Sequence, residues 1–134
     1  MAETLELEVA TPERELVREQ VSEVQVPGRH GYLGVLPGHA PLLGILGIGT
    51  LTYVAGGRKR YLAVHSGFVE ILDDHVRVLA DVAERGEDID VQRARTALER
   101  AQQAAINPAL GTDPAVALAA SMRAEARIAT AEMR

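Results

Sequence analysis

The sequence predicts an all-β sandwich at the N-terminus followed by an antiparallel α-helical hairpin at the C-terminus. Three observations predict it. Eleven of the twelve glycines precede residue 88, whereas fourteen alanines follow it. Short apolar runs punctuated by glycine fill the first part, and alanine at helical spacing fills the second. The charge divides at the same place: residues 1–88 carry 8 basic and 14 acidic groups, and residues 89–134 carry 6 and 5. The expected division is a sandwich over residues 1–86 and a hairpin over 87–134.

Each element has a local reason. Leu5-Glu6-Leu7-Glu8-Val9 alternates with period two, as a half-buried strand does. Val21, Val24 and Val26 form a second run, closed by Pro27-Gly28. Further strands are expected at Gly49–Ala55, Arg60–Val64, Gly67–Leu72 and Val76–Ala80, with turns at Gly56-Gly57, Ser66-Gly67 and Asp73-Asp74. Many short strands at this spacing mean a sandwich or barrel. Asp88 is the expected N-cap of the first helix, with Asp90 in its first turn. Val91, Ala94, Leu98, Ala101 and Ala105 make its apolar stripe, and Asn107-Pro108 stops it. Thr112-Asp113-Pro114 starts the second helix, whose stripe reads Ala119, Met122, Ala126, Ala129 and Met133. Stripes of alanine bury little area, at about 25 cal/mol per Å². The hairpin is therefore expected to be held weakly and to be able to detach.

Composition excludes several classes. A net charge of −5 argues against nucleic acid, which wants clustered Lys and Arg. There is no cysteine, hence no disulfide framework or thiolate chemistry. Met1 to Leu7 contains Glu3 and Glu6 and no apolar core of a secretory signal. The long uncharged stretch from Gly31 to Ala55 holds six glycines, Pro37 and Pro41, so direct membrane insertion is not expected. His30, His39, His65 and His75 lack any metal-ligand spacing. His65 and Ser66 are neighbours on a strand and point to opposite faces, which argues against a nucleophile and its base.

The most informative segment is Gly31-Tyr32-Leu33-Gly34-Val35-Leu36-Pro37-Gly38-His39-Ala40-Pro41-Leu42-Leu43. It reads as a strand, a turn in which Pro37 fixes φ and Gly38 permits a positive φ, and a proline-interrupted edge. It closely resembles the signature of the epsilon subunits of bacterial F-type rotary ATP synthases. Gly86-Glu87-Asp88-Ile89-Asp90, then Arg93-Ala94, and the closing Ala131-Glu132-Met133 match the same family.

The resemblance implies a non-catalytic rotor subunit at the cytoplasmic face of the bacterial inner membrane. It implies that the sandwich binds the central-stalk gamma subunit and the proteolipid c-ring, and that it couples proton-driven rotation to ATP synthesis. It implies a hairpin that lies folded on the sandwich or extends to the catalytic alpha/beta head and restrains ATP hydrolysis. Tyr32, Pro37, Gly38, His39, Pro41 and Leu42 correspond to the stalk and ring contact. Some members bind a regulatory ATP, with no cofactor required, through a motif matched here by Ile89, Asp90, Arg93 and Ala94. Arg100, Arg123, Arg127 and the acidic Glu84 correspond to further members of that site.

The residues allow plainer readings. Asp90 and Arg93 are spaced either for an intrahelical ion pair or for nucleotide contact. Arg123 and Arg127 flank Glu125 as a solvated face or bind phosphate. Two departures from the family also bear on function. Tyr32 stands where many relatives carry an acidic residue, so aromatic packing replaces a polar ring contact or that contact is lost. Pro114–Met122 contains no basic residue, which leaves Arg123, Arg127 and Arg134 to meet the head and predicts weak inhibition. The alternatives to a rotor subunit are a free-standing β-sandwich nucleotide-binding sensor module and, more remotely, a small metal enzyme.

Overall fold

The computed structural model describes residues 3–133, so Met1, Ala2 and Arg134 of the sequence reading lie outside the described residues. The chain runs β1 (Leu5–Ala10), β2 (Glu15–Val21), β3 (Glu23–Gly28), β4 (Gly31–Val35), β5 (Leu42–Ile45), β6 (Ile48–Ala55), β7 (Arg58–Leu72) and β8 (His75–Arg85). A 3-10 turn at Gly86–Asp88 leads to α1 (Val91–Ile106), and α2 (Pro114–Met133) closes the hairpin. A sandwich followed by two helices is the architecture expected.

All eight strands belong to one hydrogen-bonded network that folds over on itself. Its order is β2-β1-β8-β7-β6-β3-β4, with β5 on β7. The first layer is β2, β1, the start of β8, the end of β7, and β5. The second is the end of β8, the start of β7, β6, β3 and β4. Leu5, Leu7 and Val9 of β1, Val24 and Val26 of β3, Leu51 of β6, and Val76 and Val78 of β8 fill the space between the layers. β1 lies parallel to β8 and antiparallel to β2. On the outer face Glu8 gathers Arg18, His75 and Arg77 from the neighbouring strands at 3.3–3.4 Å. Burial pushes the Glu8 carboxyl up, but the hydrogen bond and charge of Arg77, with help from Arg18 and His75, hold it below its usual range.

Several strands differ from the sequence reading, each for a physical reason. β2 was not foreseen because it does not alternate. A bulge opposite Val9 and Ala10 turns both Leu16 and Val17 inward. Val21 and Val24 are on different strands and in different layers, separated at Ser22, whose N–H donates to the Val54 carbonyl at 2.8 Å. Ser66-Gly67 is a bend inside β7 and no turn between strands. Arg60–Val64 and Gly67–Leu72 are thus one strand, and the β8 segment runs on from Ala80 to Arg85. Asp73-Asp74 does turn the chain, with both residues at positive φ.

The helices also shift by a few positions. Asp90 is the N-cap of α1: its carboxylate accepts from the Arg93 N–H at 3.0 Å, while Asp88 belongs to the 3-10 turn. Ala94 and Ala101 are buried as expected, but Ala105 is exposed. Asp113 caps α2, accepting from the Ala115 N–H at 2.8 Å, with Pro114 at the first position. The inward stripe of α2 is Ala117, Ser121, Ala124 and Ala131, while Met122, Ala129 and Met133 are exposed. α2 lies on β6 and β7, and α1 packs on α2. Small residues hold this contact: Ala131 meets Ala63 and Ile89, and the Thr130 hydroxyl lies 2.7 Å from that of Thr50. Thr130 donates to the Ala126 carbonyl, so Thr50 is the donor between the two hydroxyls.

Candidate functional site

The hairpin does not close flat on the sandwich. Between them is a cleft of about 390 Å³. Its floor is the outer face of the second layer, with His65 of β7, and Val82 and Glu84 of β8. Its walls are Arg93 and Ala97 of α1, and Arg123, Ala124 and Arg127 of α2. The alanines make room, and the arginine stems line it with methylenes while their guanidinium groups supply charge.

The charge in the cleft is unbalanced. Arg127 Nε lies 2.7 Å from Glu84 Oε1, and Nη2 donates to Oε2 at 3.4 Å. That pair is close to neutral. Among the described residues no carboxylate comes within ion-pair distance of Arg93 or Arg123. Two guanidinium groups thus line one cleft with no described carboxylate beside them, and guanidinium groups are suited to oxyanions through forked hydrogen bonds. His65 adds to this. Burial pushes its imidazole below the ordinary value, and the charge of Arg123 pushes it the same way; Asp81 and Glu84 oppose this, and Arg127 adds to it.

The structure brings together Glu84, Arg93, Arg123 and Arg127 of the residues expected from sequence. Arg100 stands apart, in a shallow depression on α1 with Asp90, Arg93 and Thr96. Asp90 spends its carboxylate on the cap, and no side-chain ion pair links it to Arg93. Ile89 and Ala94 are buried, Ile89 against Ala63 and Ala131. Arg127 pairs with Glu84 across the cleft, and Arg123 and Arg127 make no ion pair with Glu125. Sequence reading did not place His65 and Val82 here. The signal was available: the Asp73-Asp74 turn sets the β7–β8 register, which pairs His65 with Val82 and places it near Glu84.

A second surface lies on the first layer. The Pro37-Gly38 turn has Gly38 at φ +86°, closes with the His39 N–H on the Leu36 carbonyl, and is pinned by Gly38 N–H donating to Asp74 Oδ1 at 2.6 Å. His39 Nδ1 is 2.6 Å from the Ala40 carbonyl. Pro41 leads into β5, an edge strand. Register aligns Ile45, Phe68 and Leu79 in a row across β5, β7 and β8, all of them exposed, Phe68 by 57%. Leu43, 73% exposed, extends the row. Leu42, with Leu33, Ile45 and Phe68, lines an apolar groove of about 580 Å³. Tyr32 turns away from this groove: its hydroxyl accepts the Thr50 N–H at 3.1 Å, on the layer that carries the hairpin. No helix among the described residues is long and apolar enough to cross a membrane.

Residues 4–86 match the family described as ATP synthase, Delta/Epsilon chain, beta-sandwich domain. Over 134 residues, 100% of both chains, the sequence is 75% identical to the ATP synthase epsilon chain of Solibacter usitatus. The chain belongs to the ATP synthase epsilon-chain family. The epsilon chain of Nitratidesulfovibrio vulgaris is 46% identical over 128 residues, 96% of each chain. Among solved structures, a chain of the Euglena gracilis mitochondrial ATP synthase, in an OSCP/F1/c-ring complex, superposes with TM-score 0.80 at 25% identity, covering 100% of this chain and 84% of that one. The resemblance carried by Gly31–Leu43 was therefore to the right family. An epsilon chain is a subunit of the synthase and is not its catalytic chain.

Proposed function

We propose that this epsilon chain couples rotation to synthesis in a bacterial proton-translocating ATP synthase, and that its folded hairpin holds ATP as a regulatory ligand. The sandwich joins the gamma subunit and the c-ring as a peripheral part of the enzyme on the cytoplasmic side of the inner membrane. The hairpin reaches the alpha/beta head when it is released. The observation that carries the regulatory part is the cleft, where Arg93 and Arg123 line a space shared by hairpin and sandwich and, among the described residues, have no carboxylate within ion-pair distance. A ligand that bridges the two halves favours the folded state by its differential affinity. The domain division at residues 86 and 87 follows, with the fixed half coupling and the mobile half sensing.

Isothermal titration of the full chain with ATP tests this reading. Binding is expected, and Arg93→Ala and Arg127→Ala are each expected to weaken it by about 1–3 kcal/mol. No heat and no thermal shift at millimolar ATP would remove the regulatory site.

Coupling rests on the second surface. An exposed apolar row of this kind marks an interaction site, and the Euglena relative belongs to a complex of F1 with a c-ring. Phe68→Asp is expected to weaken association with gamma by more than about tenfold, since a charge would be buried there. His39→Asp is expected to weaken it less, and thermal unfolding of both isolated variants should stay near wild type. Unchanged affinity in pull-down titrations would take this face out of the interface. The outer side of α2 presents Val116, Leu118 and Met122 where basic residues are absent, so its contact with the head is apolar and inhibition is weak.

A further inference from the structure

We infer that His65 is a proton-coupled member of the arginine cleft: it takes up a proton when the phosphates of a nucleotide enter, and donates a hydrogen bond to them. This rests on the nucleotide reading of the cleft. His65 stands on the cleft floor, on the same side of the sheet as Glu84 and beneath the arginines of both helices. Its cross-strand neighbours are Ile48 on β6 and Val82 on β8, which offer no hydrogen bond. Among the described residues its imidazole has neither a side-chain hydrogen bond nor an ion pair.

The charged groups around it come from every packed element. Asp81 and Glu84 are on β8, Arg123 and Arg127 on α2, and Arg93 on α1; β6 contributes only Ile48. Glu84 is committed to Arg127. The balance is positive, and burial first, then the charge of Arg123 with Arg127 adding to it, holds the imidazole below its ordinary value. A polyphosphate reverses this balance. Its charge offsets the guanidinium groups, and the field that opposed protonation now favours it. The ring then gains a proton from solvent and becomes one more donor to the phosphates.

Linkage fixes the sign. A group that binds protons more tightly in the complex than in the free protein makes affinity rise as pH falls through the values of the two states. The change in affinity is read across the range in which histidine titrates.

The test is titration of the full chain with magnesium-free ATP at pH 8, 7 and 6, in two buffers of different ionisation heat, alongside His65→Gln. The terminal phosphate of ATP titrates in the same range and affects both proteins alike. The expected result is that affinity gains about three- to tenfold more in wild type than in His65→Gln between pH 8 and pH 6. The buffer difference should show extra proton uptake only in wild type. The His65 ring resonance should titrate at higher pH once ATP is bound. Equal pH profiles for the two proteins, with ATP bound by both, would overturn the role of His65 and leave the nucleotide site standing. No binding by either protein at any pH would overturn the nucleotide site and the role of His65 with it.

Discussion

Gly67→Ala is expected to lower the stability of the chain by about 3–5 kcal/mol. Gly67 has φ +122°, and a Cβ there would lie 1.9 Å from the backbone oxygen of Leu79. Neither problem can be relieved locally. The Leu79 oxygen belongs to a backbone paired with β7 on one side and with β1 on the other. Moving it would open the ladder at the bend. Strain at the wrong φ and overpacking against backbone therefore add, and together they rival a large share of a small domain's stability. The urea midpoint of the variant measures the loss. A fall worth less than about 1 kcal/mol would mean that the bend relaxes freely, against its tight pairing to both neighbours.

Truncation after Asp88 is expected to abolish ATP binding while leaving a sandwich that folds. The two expectations come from separate facts. Every residue of the main core cluster lies between Leu5 and Ala83, so the hairpin contributes nothing to it. The hairpin's own contact with the sheet is built on Ala63, Ile89, Ala131 and the Thr50–Thr130 pair. Each methyl-sized group there contributes about 0.8 kcal/mol. Thr50 left behind meets water, so no buried polar group is orphaned. Cooperative thermal unfolding of the 1–88 fragment, at a modestly lower temperature, is the expected trace. The proposed binding is expected to fail because Arg93, Arg123 and Arg127 leave together, and one imidazole beside the Glu84 carboxylate is too little to hold a polyphosphate. In assembled enzyme the fragment should support synthesis and raise hydrolysis slightly. An unfolded fragment would make the hairpin part of the core.

The sequence shows the alternation of β1, the Gly56-Gly57 turn and the break at Asn107-Pro108, because each is decided within a few residues. The bend at Ser66-Gly67 is not legible that way. A Ser-Gly pair reads as a turn, and only the pairing of β7 to β5, β6 and β8 keeps the strand running through it. The stripe of α2 misleads for another reason. Met122 and Met133 are the more apolar choices, yet a helix that approaches a sheet closely has room only for Ala117, Ser121, Ala124 and Ala131. The arginines of the cleft were legible as a set through the family motif. His65 was not, since its part depends on cross-strand register rather than on its neighbours in the chain.

The strands that pass through both layers have a mechanical consequence. β7 spans fifteen residues and β8 eleven, and they keep one register from Leu72 and His75 to Leu62 and Arg85. The two layers are therefore joined by covalent chain as well as by side-chain packing. A sideways push on the Phe68 row travels along the backbones to the Glu84 end and loads the ladder in shear, where its hydrogen bonds share the force. Layers joined only by packing would slide over one another under the same push. A part built in this way answers a load as a stiff piece, and the small-residue seam beneath α2 is where it gives first.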